Sequence, residues 1–180
     1  MGSTEKGISM KCFKNNDGFT MVELIVSMAI TAIVITMLAM IISAVVTSSR
    51  NASNEATLQK EAQFAINQLA EIIMEAKEIT GGSAVAPDKK YLIRGAESRY
   101  YAVFLKADEK CLYLMQTSDP VQADGFNPAL DEDAKNKYLL AEYVESISIE
   151  TSPGLATINI KFVLGESSLT GQKNIAMRNR

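Results

Sequence analysis

The sequence predicts an α+β fold in which one long N-terminal helix packs on a small antiparallel β-sheet. Neither Gly nor Pro occurs between Thr20 and Thr80, so no residue in that stretch interrupts a helix. The distal half of the stretch carries an apolar stripe at helical spacing, which must pack against another element. From Tyr91 onward the chain changes to β-prone runs separated by turn residues, which predict strands.

The first half of the predicted helix is apolar on every side. Residues from Leu24 to Val46 include no charged side chain, and Ile, Val, Met and Ala dominate. About 20 apolar residues are enough to cross the hydrocarbon layer of a membrane. A helix that is apolar all round suits lipid or the core of a helical bundle, so we predict that residues 19–46 form a transmembrane segment.

The charges that flank this apolar run predict its orientation. Lys6, Lys11 and Lys14 precede it, opposed by Glu5 and Asp17, whereas a single Arg follows it closely. Positive residues concentrate on the cytoplasmic side of membrane helices. We therefore expect a single-pass protein in the cytoplasmic membrane, with its N-terminus in the cytoplasm and its C-terminal domain extracytoplasmic.

Residues 47–80 are predicted to continue the same helix in amphipathic form. Apolar residues spaced by three and four make one stripe: Leu58, Ala62, Ala65, Leu69, Ile72, Ala76 and Ile79. The alternative for such a stripe is a coiled-coil seam, but this one spans about three heptads and is rich in Ala, which is weak for an independent coil. The stripe favours packing against a sheet.

Residues 81–180 are predicted to form the antiparallel sheet region. Gly81-Gly82 supplies a helix stop. A first hairpin is predicted from Tyr100–Leu105 and Cys111–Met115, and Tyr91–Arg94 is a weaker strand candidate.

A second and stronger hairpin signal lies nearer the C-terminus. The run from Val144 to Thr151 alternates, with Ile147 and Ile149 on one face and Val144 on the other. It is followed by a Ser-Pro-Gly turn and by Thr157–Leu164. The tail is polar until Asn174–Asn179, which we interpret as a short edge strand.

Residues 118–137 are predicted to form a variable acidic loop, with a short helical turn as an alternative for part of it. They include Pro120, Gly125 and Pro128, and a cluster of Asp and Glu. Calcium binding is conceivable because oxygen ligands are plentiful, but the spacing is not that of an EF-hand. We interpret the acidic residues as a solvated loop and expect no metal site.

Composition argues against several classes of function. The formal net charge of −3 gives no electrostatic footprint for nucleic acid. Histidine is absent, which removes the commonest general base and imidazole ligand. The two cysteines, Cys12 and Cys111, lie far apart, and we interpret Cys111 as a small core or surface thiol. No nucleophile with a base, metal cluster or phosphate loop is evident, so we expect neither an enzyme nor a bound cofactor.

A carboxylate at the mouth of the apolar run is the most specific feature of the chain. The residues Gly18-Phe19-Thr20-Met21-Val22-Glu23 stand directly before it, and an ionised Glu at the edge of a hydrocarbon layer is rare. The segment resembles, position for position, the processing signal of type IV prepilins and pseudopilins. The alternative is a plain signal anchor in which Glu23 reaches the headgroups.

The resemblance implies specific roles for three of these residues. It implies that residues 1–18 are a leader, that a prepilin peptidase cuts after Gly18, and that the new amino terminus at Phe19 is N-methylated. The Glu23 carboxylate would then face the terminal amine of a neighbouring subunit. Physical reasoning supports such a pair, because a buried carboxylate and a buried ammonium offset their desolvation cost only through mutual contact. Glu23 would thus set the axial register between subunits.

The resemblance also implies the type IV pilin fold, partners and a class of function. The long N-terminal helix, the pair of hairpins and the closing residues Ile175–Asn179 resemble W-type minor pilins and J-type minor pseudopilins. The leading interpretation is a minor pilin that helps to initiate or decorate a type IV pilus. Its partners would be other pilin subunits, the prepilin peptidase, the inner-membrane assembly platform and the cytoplasmic membrane, before it reaches the cell surface. The alternatives are a minor pseudopilin of a type II secretion or DNA-uptake system, and a membrane-anchored extracytoplasmic binding domain.

Overall fold

The structure is a computed structural model that describes residues 19–81, 88–127 and 137–178. The predicted leader with Gly18 and Cys12 lies outside the described residues, as do residues 128–136 of the predicted acidic loop. The chain divides into two compact units after Val46. Among the described residues, those of the first unit are helical from Met21 onward, and the second unit holds the sheets.

The long N-terminal helix is confirmed, but its predicted end is wrong. Helix α1 spans Met21–Met74, whereas the sequence predicted helix to Thr80 and a stop at Gly81. Glu78–Gly81 instead forms strand β1, paired antiparallel with β2 (Lys89–Arg94). The reason is tertiary: pairing with β2 gives these residues ladder hydrogen bonds, and the β-branched Ile79 and Thr80 suit a strand.

The part of α1 that belongs to the second unit buries one face, as predicted. Its buried residues are Leu58, Ala62, Ala65, Ile66, Leu69, Ala70 and Ile73. The predicted stripe missed Ile66, Ala70 and Ile73, and it included Ile72, which is only partly buried. The observed face is wider because residues at both the third and the fourth position along each turn reach the core.

The first sheet has five strands in sequential antiparallel order. After β1 and β2 its strands are β3 (Tyr100–Lys106), β4 (Cys111–Thr117) and β5 (Lys137–Ala141). The predicted hairpin is confirmed as β3 and β4, and the weaker strand candidate is confirmed as β2. Strand β3 is buried on both faces, which explains its unbroken apolar run.

A short helix covers the outer face of this sheet. Helix α2 spans Pro120–Gly125, within the predicted acidic loop, and confirms the helical turn. Phe126 follows it and packs edge-to-face on Phe104, with ring centroids 6.3 Å apart. The Lys90 ammonium donates a hydrogen bond to the Asp124 carbonyl oxygen, and burial lowers the pKa of Lys90. Lys90 thus ties the end of α2 to the sheet.

The structure contains a second, three-stranded sheet, whereas the sequence predicted a single sheet. Its strands, in sequential antiparallel order, are β6 (Val144–Ser152), β7 (Leu155–Leu164) and β8 (Ser167–Ala176). The hairpin of β6 and β7 is confirmed. Val144 is buried like Ile147 because a register irregularity follows it, so its predicted opposite face is wrong.

Strand β8 is longer than the short edge strand predicted at Asn174–Asn179. It pairs with β7 along its full length, from Leu164↔Ser167 to Leu155↔Ala176. The sequence concealed it because its exposed positions are polar and few of its inward positions are large and apolar. At Gly171, an added Cβ atom would overlap Ile66 Cδ1 of α1 unless that side chain moved.

One apolar core joins α1 to both sheets. Its members at 0 or 1% exposure include Leu58, Ala65, Leu69, Ile73, Ala76, Ile93, Val103, Leu105, Leu112, Val144, Ile147, Ala156, Ile158, Ile160 and Phe162. The architecture is therefore α+β, with residues 47–74 of a long helix packed on antiparallel sheets.

Candidate processing and assembly site

The described part of the candidate site begins with a capping box at the first turn of α1. The Glu23 N–H donates to Thr20 Oγ1 at 3.2 Å. In return, Glu23 Oε2 accepts from the Thr20 N–H and from the Thr20 hydroxyl, each at 3.4 Å. These reciprocal bonds satisfy backbone donors that a helix N-terminus leaves unpaired.

The capping role of Thr20 is a feature that the sequence reasoning missed. The signal was present, because Thr followed three residues later by Glu, directly before an apolar run, is the capping-box pattern. Glu23 therefore has a local structural role within its own chain. The structure brings Thr20 and Glu23 together, while Gly18 lies outside the described residues.

The side chains around the capping box are exposed. Phe19, Met21 and Val22 are 79, 81 and 70% exposed. Large apolar side chains are seldom left open in such numbers without a binding partner. The first turn of α1 therefore offers an apolar surface that carries one carboxylate.

Residues 24–46 continue this apolar surface on all sides of the helix. All of them are exposed. Leu24, the first, is 54% exposed, and Val46, the last, is 43% exposed. Among the described residues, Met21–Met74 is the one helix that is long and apolar enough to cross a membrane, judged by length and composition. Its N-terminal part suits an apolar environment supplied from outside the chain.

The hydroxyl groups in this segment bond to their own helix. Ser27 donates to the Leu24 carbonyl oxygen at 2.9 Å, and Thr31 to that of Ser27 at 2.7 Å. Thr36 and Ser43 bond in the same way to carbonyls three and four residues earlier. Internal pairing lowers the cost of placing a hydroxyl in an apolar medium, so these residues are compatible with lipid or a helix bundle.

The thiol of Cys111 was interpreted as a core or surface group, and it lies partly buried at the start of β4. Its Sγ donates to the Glu109 carbonyl oxygen at 3.4 Å. Burial raises the pKa of the Cys111 thiol, which disfavours the nucleophilic thiolate. Within the described ranges, no group of three or more Cys, Asp or Glu side chains is arranged to hold a metal ion.

Comparison with known families identifies the N-terminal segment. Residues 13–39 match the model described as the prokaryotic N-terminal methylation motif. This motif is the processing signal of type IV prepilins and pseudopilins, and its presence supports that family for this chain. No curated protein and no solved structure matches it. The matched range contains the Thr20–Glu23 capping box and the start of the exposed apolar helix.

The methylation motif gives the fold and the site a common context. The α+β arrangement of a long N-terminal helix on antiparallel sheets is pilin-like. One apolar helix together with a prepilin signal fits a single-pass, membrane-anchored pilin. A prepilin signal also implies processing by a prepilin peptidase and assembly with other pilin-type subunits.

Proposed function

We propose that this chain is a minor pilin, a structural subunit that helps to initiate or decorate a type IV pilus. The observation that carries the proposal is the methylation motif at the start of a helix whose residues 21–46 expose apolar side chains on every side. Such a surface is stabilised when neighbouring apolar helices or lipid cover it. The resemblance of the long helix, the hairpin pair and the closing residues Ile175–Asn179 to W-type minor pilins supports the minor role.

Processing at the N-terminus is the first step of the proposed function. A prepilin peptidase cuts after Gly18 and releases residues 1–18 as a leader. The new amino terminus at Phe19 is then N-methylated. Residues 19–46 hold the subunit in the cytoplasmic membrane, with the C-terminal domain extracytoplasmic, until the assembly platform moves it into the filament. No reaction is catalysed by this chain.

Glu23 sets the register of the subunit in this proposal. In the isolated chain, its Oε2 atom is bound by Thr20, while no described residue bonds to Oε1. The Oε1 atom can accept a hydrogen bond from the terminal ammonium of a neighbouring subunit. A correct stagger would pair the two charges, and a wrong stagger would leave both buried without a partner, at a cost of several kcal/mol each.

The test separates the charge of Glu23 from its capping role. Gln at the same position can still complete a capping box, but it carries no charge. We expect Glu23→Gln and Glu23→Ala to enter the membrane normally and to be lost from sheared pili, by about tenfold or more. Glu55→Ala is the matched control, because Glu55 is an exposed carboxylate on the same helix. Quantitative immunoblots of membrane and sheared fractions would measure both pools.

Two results would contradict the proposal. Normal incorporation of Glu23→Gln would leave Glu23 with the capping role alone. Recovery of the wild-type chain with a secretion pseudopilus, and never in sheared pili, would assign it to the pseudopilin branch of the family.

A further inference from the structure

Strand β8 leaves one edge of the three-stranded sheet open. Ala176 is paired with Leu155, and the Met177 N–H donates to the Gly154 carbonyl oxygen at 3.0 Å. In an antiparallel ladder, alternate residues direct both backbone groups to the same neighbour. The odd-numbered residues of β8 therefore bond to β7. The residues that turn N–H and C=O outward are Ser168, Thr170, Gln172, Asn174 and Ala176.

These outward backbone groups have no backbone partner among the described residues. Helix α1 does not cover them, since it packs on the face formed by the odd-numbered residues, where Ile66 meets Gly171. The Lys173 ammonium lies on the same face and donates to Asn67 Oδ1 at 3.0 Å. The edge is thus a regular row of unpaired donors and acceptors.

The other sheet edges carry features that discourage pairing with a further strand. Strand β1 has four residues and begins with Glu78. Strand β5 has five residues, begins with Lys137, and has a register irregularity against β4. Strand β6 is interrupted by the irregularity at Val144, next to the charged Glu145. Short length, charge and bulges are the usual protections of an edge strand.

Strand β8 has none of these protections. It is ten residues long, and its register with β7 is unbroken. It contains no Pro, and its single charged residue is Lys173, which is bound to α1. Its outward residues are small or neutral. An edge of this kind is the surface to which an extended peptide adds by β-augmentation.

We propose that β8 is a docking edge for an extended segment of a different protein chain, which adds as a fourth strand beside it. Alternating N–H and C=O groups at strand spacing are matched by another extended backbone. Hydroxyl and amide side chains also favour polar cross-strand pairs, as between the Thr157 hydroxyl and Asn174 Oδ1 at 3.0 Å.

Antiparallel pairing with β8 of a second copy fits a membrane-anchored chain poorly. Such a pair is related by a two-fold axis perpendicular to the sheet. Residues 47–74 pack on the sheet and lie roughly parallel to it, so the axis would turn the two helical segments in opposite directions. The two Thr47 residues, which lead back to the apolar segments, would then lie at opposite ends of the pair. A different chain avoids this conflict.

The test is site-specific photocrosslinking of the full-length chain in its native host. The photoreactive residue benzoylphenylalanine would replace Gln172 on β8 or, as a matched control, Ser148 on β6. Both positions are in register with Asn159 of β7 and lie on the same polar face, but at opposite edges of the sheet. We expect adducts at Gln172 to map by mass spectrometry to one segment of a different protein. Adducts at Ser148 should be at least about tenfold weaker.

A backbone variant separates strand addition from side-chain contact. Thr170→Pro removes an outward N–H that the β7 ladder does not use, so β8 should keep its pairing with β7. With the probe at Gln172, we expect the adduct to fall by about tenfold, because the partner loses backbone hydrogen bonds. Thr170→Lys, which protects the edge by charge, is the second variant if the Pro variant does not fold.

Several outcomes would overturn the proposal. They are equal labelling from Ser148 and Gln172, an adduct unchanged in both Thr170 variants, and an adduct formed with a second copy of this chain. The inference rests on the three-stranded sheet and on the membrane anchor, and not on processing into a pilin. A chain that is never cut before Phe19 would contradict the pilin proposal and leave this one intact.

Discussion

Residues 19–46 and residues 47–178 contain similar kinds of apolar side chain and place them differently. In the first region, Ile25, Met28 and Met40 are 59, 65 and 72% exposed. In the second, Leu58, Leu69 and Phe162 are completely buried. Helix α1 contributes residues to both regions, so secondary structure does not explain the difference in exposure. The difference lies in whether the chain supplies a surface that can cover the apolar residues.

The two parts of α1 differ in how polar and apolar residues are arranged around the helix, and this difference accounts for their different burial. Residues 47–74 have one apolar face and one polar face, and the sheets cover the apolar face. Residues 24–46 have no polar face, so one sheet could cover only part of them. Fully burying a large apolar side chain contributes about 1.5–3 kcal/mol. The apolar side chains of the first region are therefore stabilised by contacts outside the chain, and those of the second region by contacts within the chain.

The largest effect on the second region should come from Phe162→Ala. Phe162 is fully buried between α1 and the sheets, and such truncations cost about 3–5 kcal/mol. Phe64→Ala is the matched control, because Phe64 is 54% exposed on α1 and should cost well under half as much. Chemical denaturation of the full-length protein in detergent would measure both. Equal losses would show that the two rings are equally buried and would contradict the described core.

A charge placed in the first region should affect membrane insertion and not folding. Ile33→Lys lies in the middle of residues 21–46, and a Lys at the centre of a membrane helix costs about 2.5–3.5 kcal/mol on insertion scales. We expect a fall in membrane-integrated protein, measured by alkaline extraction. Gln63→Lys, at an exposed position of the second region, is the control and should insert like the wild type. Full insertion of Ile33→Lys would argue against a lipid-facing segment.

The contact between α1 and β8 should be sensitive to a single methyl group. Gly171→Ala places a Cβ against the Ile66 side chain, and overpacking costs about 1–3 kcal/mol. The atom in the way is Ile66 Cδ1, so adding Ile66→Val should recover part of the loss. A double-mutant cycle of thermal unfolding would measure the coupling between the two sites. Strictly additive losses would show that β8 does not approach α1 at this point.

The smallest effect should be a gain of stability in the turn between β2 and β3. Glu97 and Ser98 have φ values of 56° and 58°, and the Arg99 N–H donates to the Ala96 carbonyl oxygen at 3.2 Å. Two consecutive positive φ values favour Asn-Gly. Glu97→Asn with Ser98→Gly should raise the free energy of unfolding by up to about 1 kcal/mol. An unchanged or lower midpoint of denaturation would contradict this turn geometry.

The parts of the fold that the sequence predicted are those with a strong local signal. Three local signals predicted the long helix and the two hairpins. They are the stretch after Thr20 that contains no Gly or Pro, the apolar run in β3 and the Ser-Pro-Gly turn after β6. Strand β1 was missed because no Gly or Pro separates it from the helix. Its strand conformation depends on pairing with β2, which is distant in sequence. The extent of β8 was missed for a similar reason, since its residues are polar and its partner is β7.

The features of the candidate site also divide into those with a local sequence signal and those that depend on tertiary structure. The six residues from Gly18 to Glu23 carry the prepilin signal in the sequence itself. The capping box at Thr20 could also have been found there, because its spacing is local. The open edge of β8 could not, because an edge is defined by strand order and by the phase of the hydrogen-bond ladder. Features that depend on a second chain, such as the proposed amine partner of Glu23, require an experiment.

We propose that the exposed first region belongs to a processed pilin subunit. The first experiment to make is N-terminal mass spectrometry of the membrane-extracted protein from its native host. We expect a mature species that begins at N-methylated Phe19. An intact N-terminus in cells that contain an active prepilin peptidase would contradict it and would make the chain a simple membrane-anchored domain.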